Sequence, residues 1–205
     1  MLEVLVPAFV TLFVVIDPIG LAPLFIALTQ GMTPAERNRV GLRALLVAFA
    51  LLAAFGIFGQ GLLTAIGISM PAFRISGGLL LFLIAVDMLF ERRSDRRERR
   101  TSEALPDPSV FPLAMPLIAG PGALATVVLL ASQNSGDLPA LVGINAVMLL
   151  VLTLTYLLFR ASHLVERLLG NTGIVVVTRL LGILLAALSV QFVLDGLRDY
   201  GLLPG

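Results

Sequence analysis

The sequence predicts an all-α membrane protein of six transmembrane helices, arranged as a 3+3 repeat of inverted topology. Hydrophobic residues make up 58% of the 205-residue chain, charged residues only 13%, and the mean hydropathy is +1.02. These values are too apolar for an ordinary soluble domain. The apolar residues form six runs of about 20 residues, the length that crosses the hydrocarbon core of a bilayer. Sequence landmarks in the first half recur about 105 residues later.

Each of the six runs is bounded by charged residues, Pro or Gly. The predicted spans are Val4–Leu28, Leu42–Ala65, Pro71–Phe90, Val110–Ala131, Leu138–Phe159 and Ile174–Leu197. They divide the chain into a first repeat at residues 1–90, an Arg-rich cytoplasmic loop at 91–109 and a second repeat at 110–205.

The distribution of arginine predicts the orientation. All fourteen basic residues are Arg, and six of them fall between Arg92 and Arg100. Arg also occurs after the first and fifth spans, whereas the other two loops have none and only Arg198 opposes the trend. By the positive-inside rule both termini face the outside of a bacterial inner membrane. We interpret the Arg92–Arg100 stretch as a solvated loop that fixes topology, and we expect no nucleic-acid partner.

The internal repeat is clearest between the third and sixth spans. Arg74-x-x-Gly77 recurs as Arg179-x-x-Gly182, 105 residues later, and each span then runs to an acidic residue near its end, Asp87 or Asp195.

The first and fourth spans repeat at nearly the same offset, since Pro7 matches Pro112 and Pro18 matches Pro121. Each unit has three helices, which is an odd number, so the second copy enters the membrane from the opposite side. Inverted repeats of this kind are typical of alternating-access transporters.

Both matched spans contain helix-breaking residues near their centres. The first reads Asp17-Pro18-Ile19-Gly20 and the fourth reads Gly120-Pro121-Gly122. Proline removes a backbone hydrogen bond, and freed backbone groups in hydrocarbon cost several kcal/mol unless protein or a water-filled cavity surrounds them. The pattern predicts that spans 1 and 4 are discontinuous around a central cavity. Half-helix N-termini there would suit an anionic group such as a carboxylate.

Asp17 is the acidic residue at the centre of the first span. A charge there costs about 2.5–3.5 kcal/mol on insertion scales, so the side chain should face the interior. Three roles stay open: Asp17 binds a substrate ammonium, carries a coupling proton or cation, or caps the half-helix that begins at Pro18.

Six further polar residues are candidates for supporting the site. We interpret the two arginines as interfacial anchors or salt-bridge partners, the two acidic residues as interfacial or capping groups, and the two amides as links between helices. His163 has no partner pattern, and the sequence assigns it no role. The six are Arg74, Asp87, Asn145, Arg179, Gln191 and Asp195.

Four stretches of the chain closely resemble the MarC family of bacterial inner-membrane proteins. They are VVIDPIGLAPLF, PAFRISGGLLLFLIAVDMLF, PLAMPLIAGPGALATVVLLAS and TRLLGILLAALSVQFVLDGL. The resemblance implies a six-helix fold related to the amino-acid exporter superfamily that includes lysine exporters. It also implies transport of small neutral amino acids such as alanine, glycine, serine or threonine. The motif positions carried over, Asp17, Pro18, Gly20, Gly120, Pro121 and Gly122, mark the centre of the substrate site.

Two other classes of function remain as alternatives to a transporter. An intramembrane aspartyl enzyme would need two carboxylates in reach of each other, drawn from Asp17, Asp87 and Asp195. An accessory membrane protein would transport nothing. We expect no enzymatic activity, no metal and no cofactor. The expected partners are a neutral amino acid, the lipid bilayer and a second copy of the chain in a homo-oligomer.

Overall fold

The computed structural model describes residues 1–90 and 107–202, and the regular elements of these residues are all helical. The predicted Arg92–Arg100 loop lies outside the described residues. The elements are α1 (Leu2–Ile16), α2 (Pro18–Leu28), α3 (Pro34–Ala65), α4 (Met70–Leu89), α5 (Ser109–Ile118), α6 (Pro121–Gln133), α7 (Leu138–Arg160) and α8 (Ser162–Asp199).

The described helices give five or six membrane spans. Five are long and apolar enough to cross a bilayer: α1 with α2, α3, α4, α7, and α8 from Thr172 onward. The helices α5 and α6 form a sixth if they count as one span, although they are bent by 57° at their junction. An all-α architecture of apolar spans is therefore confirmed. Among the five single spans, the first is the most enclosed.

Two helices begin earlier than the sequence predicts. The helix α3 starts at Pro34 because Thr33 and Glu36 form a capping box, in which each side chain accepts a hydrogen bond from the other residue's backbone N–H. Arg37, Arg39 and Arg43 therefore stand on a helix and not in a loop. The helix α8 starts at Ser162 and contains a break at Gly170, whose φ of 59° is left-handed.

The segment α5 is not a regular helix, because Phe111 and Met115, the residues before its two prolines, have extended backbone angles. Pro112 and Pro116 carry no backbone N–H, and the N–H groups of Leu113 and Ala119 donate to carbonyl groups five residues earlier, which is π-type bonding. The peptide bonds before both prolines are cis.

The helices α4 and α8 pack against each other in antiparallel orientation. A Cβ added at Gly78 would lie 2.8 Å from the carbonyl oxygen of Ser189, and one added at Gly182 would lie 3.3 Å from that of Ala85. Glycine at both positions lets the two backbones approach closely. Elsewhere α3 packs on α5 and α6, and α7 packs on α1 and α2.

Candidate functional site

The first span breaks at Asp17, which ends α1 and caps α2. Its backbone is left-handed, with φ 55° and ψ 64°, a conformation that Asp and Asn adopt more readily than other residues with side chains. Its Oδ1 accepts a hydrogen bond from the backbone N–H of Gly20 at 3.1 Å, and the residue is fully buried. Of the three roles open for Asp17, the cap is therefore observed directly.

Gly20 is required by the position of that carboxylate. A Cβ built on Gly20 would lie 2.2 Å from Oδ2 of Asp17, which is too close for two non-bonded atoms. Pro18 occupies the first position of α2, where a backbone N–H has no partner inside the helix. The three residues form one local unit, in which Pro18 starts the helix, Asp17 caps it and Gly20 makes room for the cap.

The fourth span breaks at Ala119 and Gly120, between α5 and α6. Gly120 is the N-cap of α6, has an extended backbone and supplies no side-chain cap. A Cβ at this position would lie 2.6 Å from the carbonyl oxygen of Pro116, so the main chain passes too close for a side chain. Unlike α2, the helix α6 therefore begins without an acidic residue at its N-terminus.

The structure brings the two breaks together. A Cβ on Gly122, in the first turn of α6, would lie 3.2 Å from Cγ1 of Val15, which precedes Asp17 by two residues. The same Cβ would lie 2.6 Å from Cδ1 of Ile84 on α4. The end of α1, the start of α6 and the middle of α4 thus meet at one place, which we call the break junction. Asp17, Pro18 and Gly122 are buried there, whereas Pro121 is exposed.

An apolar cavity of about 240 Å³ lies between α3, α4 and α6. Pro121 lines it, together with Gly59 and Gly77. Pro121, one of the residues predicted for the site, therefore faces an open space beside the junction.

The supporting polar residues make bonds outside the junction. Arg74, at the start of α4, forms a hydrogen-bonded ion pair with Asp199, at the end of α8. The amide of Asn145 donates to the carbonyl oxygen of Leu141 at 2.9 Å. Gln191 donates to Asp195 at 2.8 Å. Both amides therefore bond within their own helices and not between helices as predicted, because a carbonyl or carboxylate four residues away lies within reach.

The carboxylates of Asp87 and Asp195 lie near opposite ends of the α4–α8 pair. Gly196 packs on Ile75, near the start of α4, whereas Asp87 is in its last turn. Twelve residues of helix span about 18 Å, so these two carboxylates do not meet. Arg179 is exposed on α8 and is not part of the junction.

A second cavity, which the sequence does not predict, lies among α2, α3, α7 and the start of α8. It measures about 610 Å³, and we call it the arginine cavity. Arg37 donates to Nε2 of His163 at 2.8 Å, across 126 positions of sequence. A separation of that size leaves no local pattern, which is why His163 receives no role from the sequence. The polar lining of the cavity consists of Arg37, Asn38, Tyr156, Arg160 and His163.

The break junction lies within the part of the chain that matches a known protein family. The model of the MarC family integral membrane proteins matches residues 2–200. The chain belongs to the MarC family. It is therefore an integral membrane protein, as the apolar spans require.

Relatives of this MarC chain occur in bacteria and archaea. The UPF0056 membrane protein YvbG of Bacillus subtilis is 37% identical over 100% of this chain and 98% of its own length. A UPF0056 membrane protein of Archaeoglobus fulgidus is 39% identical over 94% and 91%. The UPF0056 membrane protein YhcE of Escherichia coli is 34% identical over 96% and 92%. No solved structure gives a significant match.

Proposed function

We propose that this MarC protein is an inner-membrane secondary transporter of small neutral amino acids, with its substrate site at the break junction. The observation that carries the proposal is the fully buried Asp17 carboxylate, set in the middle of an apolar span beside a second broken span. A structural bundle has no need for two interrupted helices at one depth, because each interruption in hydrocarbon costs several kcal/mol.

The two breaks are electrically complementary to a zwitterion. At α2 the helix N-terminus is already capped by the carboxylate of Asp17. At α6 the cap is Gly120, so the first N–H groups meet no acidic side chain of their own cap residue. A substrate carboxylate would bind at α6, where the helix dipole favours negative charge, and its ammonium would face Asp17. An amino acid with a small neutral side chain satisfies both ends.

The packing of the helices supports two related halves that move against each other. Under the predicted repeat α3 corresponds to α7, and α4 corresponds to α8. In agreement with this, α3 packs on α5 and α6 while α7 packs on α1 and α2. Halves related in this way would alternate access around a site between them.

The test is counterflow of labelled alanine and threonine into liposomes that contain the purified protein. We expect saturable exchange that is lost in Gly120→Leu, since a side chain there meets the backbone of Pro116. Gly61→Leu is the matched control, because a Cβ at Gly61 meets nothing within 4 Å. Absence of exchange for every small neutral amino acid, with the protein folded, would remove the substrate assignment.

A further inference from the structure

The arginine cavity is separate from the break junction. It lies where α2 and α7 end and where α3 begins, the end of the helices that carries most of the described arginines. Its apolar wall is a stacked pair of rings, Phe25 and Phe159, whose centroids are 4.4 Å apart. The guanidinium of Arg37 lies 5.7 Å from the centroid of the Phe25 ring. Both rings are almost fully buried, so they form the floor of the cavity beneath a cluster of cations.

The side chains that line the cavity present hydrogen-bond donors. Arginine can only donate, so Nε2 of His163 must accept from Arg37, and the ring proton is therefore on Nδ1. The carboxamide oxygen of Asn38 accepts from the hydroxyl of Tyr156, which leaves the amide N–H groups of Asn38 as donors. Arg160 adds a second guanidinium.

Among the residues that the structure describes, no carboxylate lines this cavity. Glu36 and Asp107 line a different cavity on the other side of α3, together with Arg39 and Arg43. Two guanidinium groups, the His163 ring and an amide therefore line a space that no carboxylate of the described residues borders. A bound anion would supply the negative charge that these lining residues do not.

We propose that the arginine cavity binds a phosphate ester. Guanidinium groups bind phosphate through paired N–H donors, and the oxygens of a phosphate can accept from several donors at once. A volume of about 610 Å³ exceeds what a bare phosphate fills, so the cavity has room for the organic group of an ester. Because the spans end at this level, the cavity can be reached both by the headgroup of an anionic lipid and by a soluble phosphate ester.

Binding to purified protein in a neutral detergent tests the proposal without measuring transport. The thermal unfolding midpoint is followed as glycerol 3-phosphate, or phosphatidylglycerol in mixed micelles, is added. Phosphatidylcholine and sodium chloride at equal ionic strength serve as references. Stabilisation by a ligand that binds the folded state rises with its concentration. A rise with phosphatidylglycerol alone identifies a lipid headgroup, and a rise with glycerol 3-phosphate identifies a soluble ester.

Arg160→Gln and Arg37→Gln are expected to weaken binding by about tenfold or more, the effect of losing a charged hydrogen bond of about 1.4 kcal/mol or more. Arg39→Gln is the matched control. It removes the same charge from α3, two residues from Arg37, but Arg39 lines the other cavity. Arg160→Gln also separates a loss of binding from a loss of folding, because it leaves the contact between Arg37 and His163 intact. No stabilisation by either phosphate compound overturns the proposal, as does equal loss in Arg39→Gln or full binding in Arg160→Gln.

Discussion

At the scale of single residues, the cap and the charge of Asp17 can be separated. Asparagine caps helices as well as aspartate and tolerates the left-handed region, whereas alanine does neither. We expect Asp17→Asn to keep the wild-type unfolding temperature within a few degrees. Asp17→Ala should lose about 2 kcal/mol of stability. Thermal unfolding in detergent gives both values, and equal destabilisation by the two substitutions would show that the charge itself holds the fold.

The same pair of variants tests the transport role of the carboxylate. If Asp17 only caps α2, Asp17→Asn exchanges substrate at the wild-type rate. If the carboxylate binds the ammonium or carries a coupling ion, counterflow in the folded Asp17→Asn protein falls by at least about tenfold, the effect of losing one charged hydrogen bond.

Gly20 and Asp17 should be energetically coupled. Gly20→Ala places a methyl group 2.2 Å from Oδ2 of Asp17, so we expect a loss of about 2 kcal/mol, typical of overpacking. In an Asp17→Gly background the methyl group has no carboxylate to displace, and the loss should be smaller. A double-mutant cycle on unfolding free energies measures the difference. Additive effects would contradict the geometry at the cap.

At the scale of helices, the α4–α8 contact depends on Gly78. A Cβ there meets both the carbonyl oxygen of Ser189 and a methyl group of Val193 at 2.8 Å. Gly78→Ala should therefore separate the two helices and destabilise the protein by about 1–3 kcal/mol. Gly61→Ala, on an open face of α3, should be neutral or stabilising because alanine favours helix. Comparison of the two unfolding midpoints checks the prediction.

The start of α5 is joined to α3 by the ion pair of Asp107 with Arg43. Hydrogen bonding from Ser109, and to a smaller extent Arg43, holds the pKa of the Asp107 carboxyl below its usual value of 3.8. A lowered pKa in the folded state adds stability above the unfolded pKa, and this is lost as the pH falls through the folded value. The stability difference between wild type and Asp107→Asn should be constant near neutral pH and shrink below about pH 4. Because the Asp107–Arg43 pair is exposed, this stability difference should be about 1 kcal/mol or less.

At the scale of the whole molecule, the orientation can be tested directly because the chain contains no cysteine. Single cysteines at Arg39 and Gly136 lie at opposite ends of the helices. With an impermeant maleimide on intact cells, we expect labelling at position 136 and none at position 39 until the membrane is opened. The reverse pattern would invert the orientation expected from the arginines.

The apolar spans and the two helix breaks were predictable from sequence because they depend on local chemistry. Hydrophobic runs set the spans, and Pro18 and Pro121 set the breaks. The winding of α5 was missed, although the four-residue spacing of Pro112 and Pro116 could have indicated lost backbone bonds. The arginine cavity was not predictable, because Arg37 and His163 meet only after α3 and α8 have packed.

The close contact between the Asp17 carboxylate and Gly20 also constrains how this sequence can change over time. Any side chain gained at position 20 occupies space that the Asp17 oxygen already fills. A side chain at position 20 therefore requires that the Asp17 carboxylate be lost or turn out of the cap, whereas position 17 can change first without a clash. In a library with both codons randomised, survivors with a side chain at 20 should be enriched in those that have given up aspartate at 17.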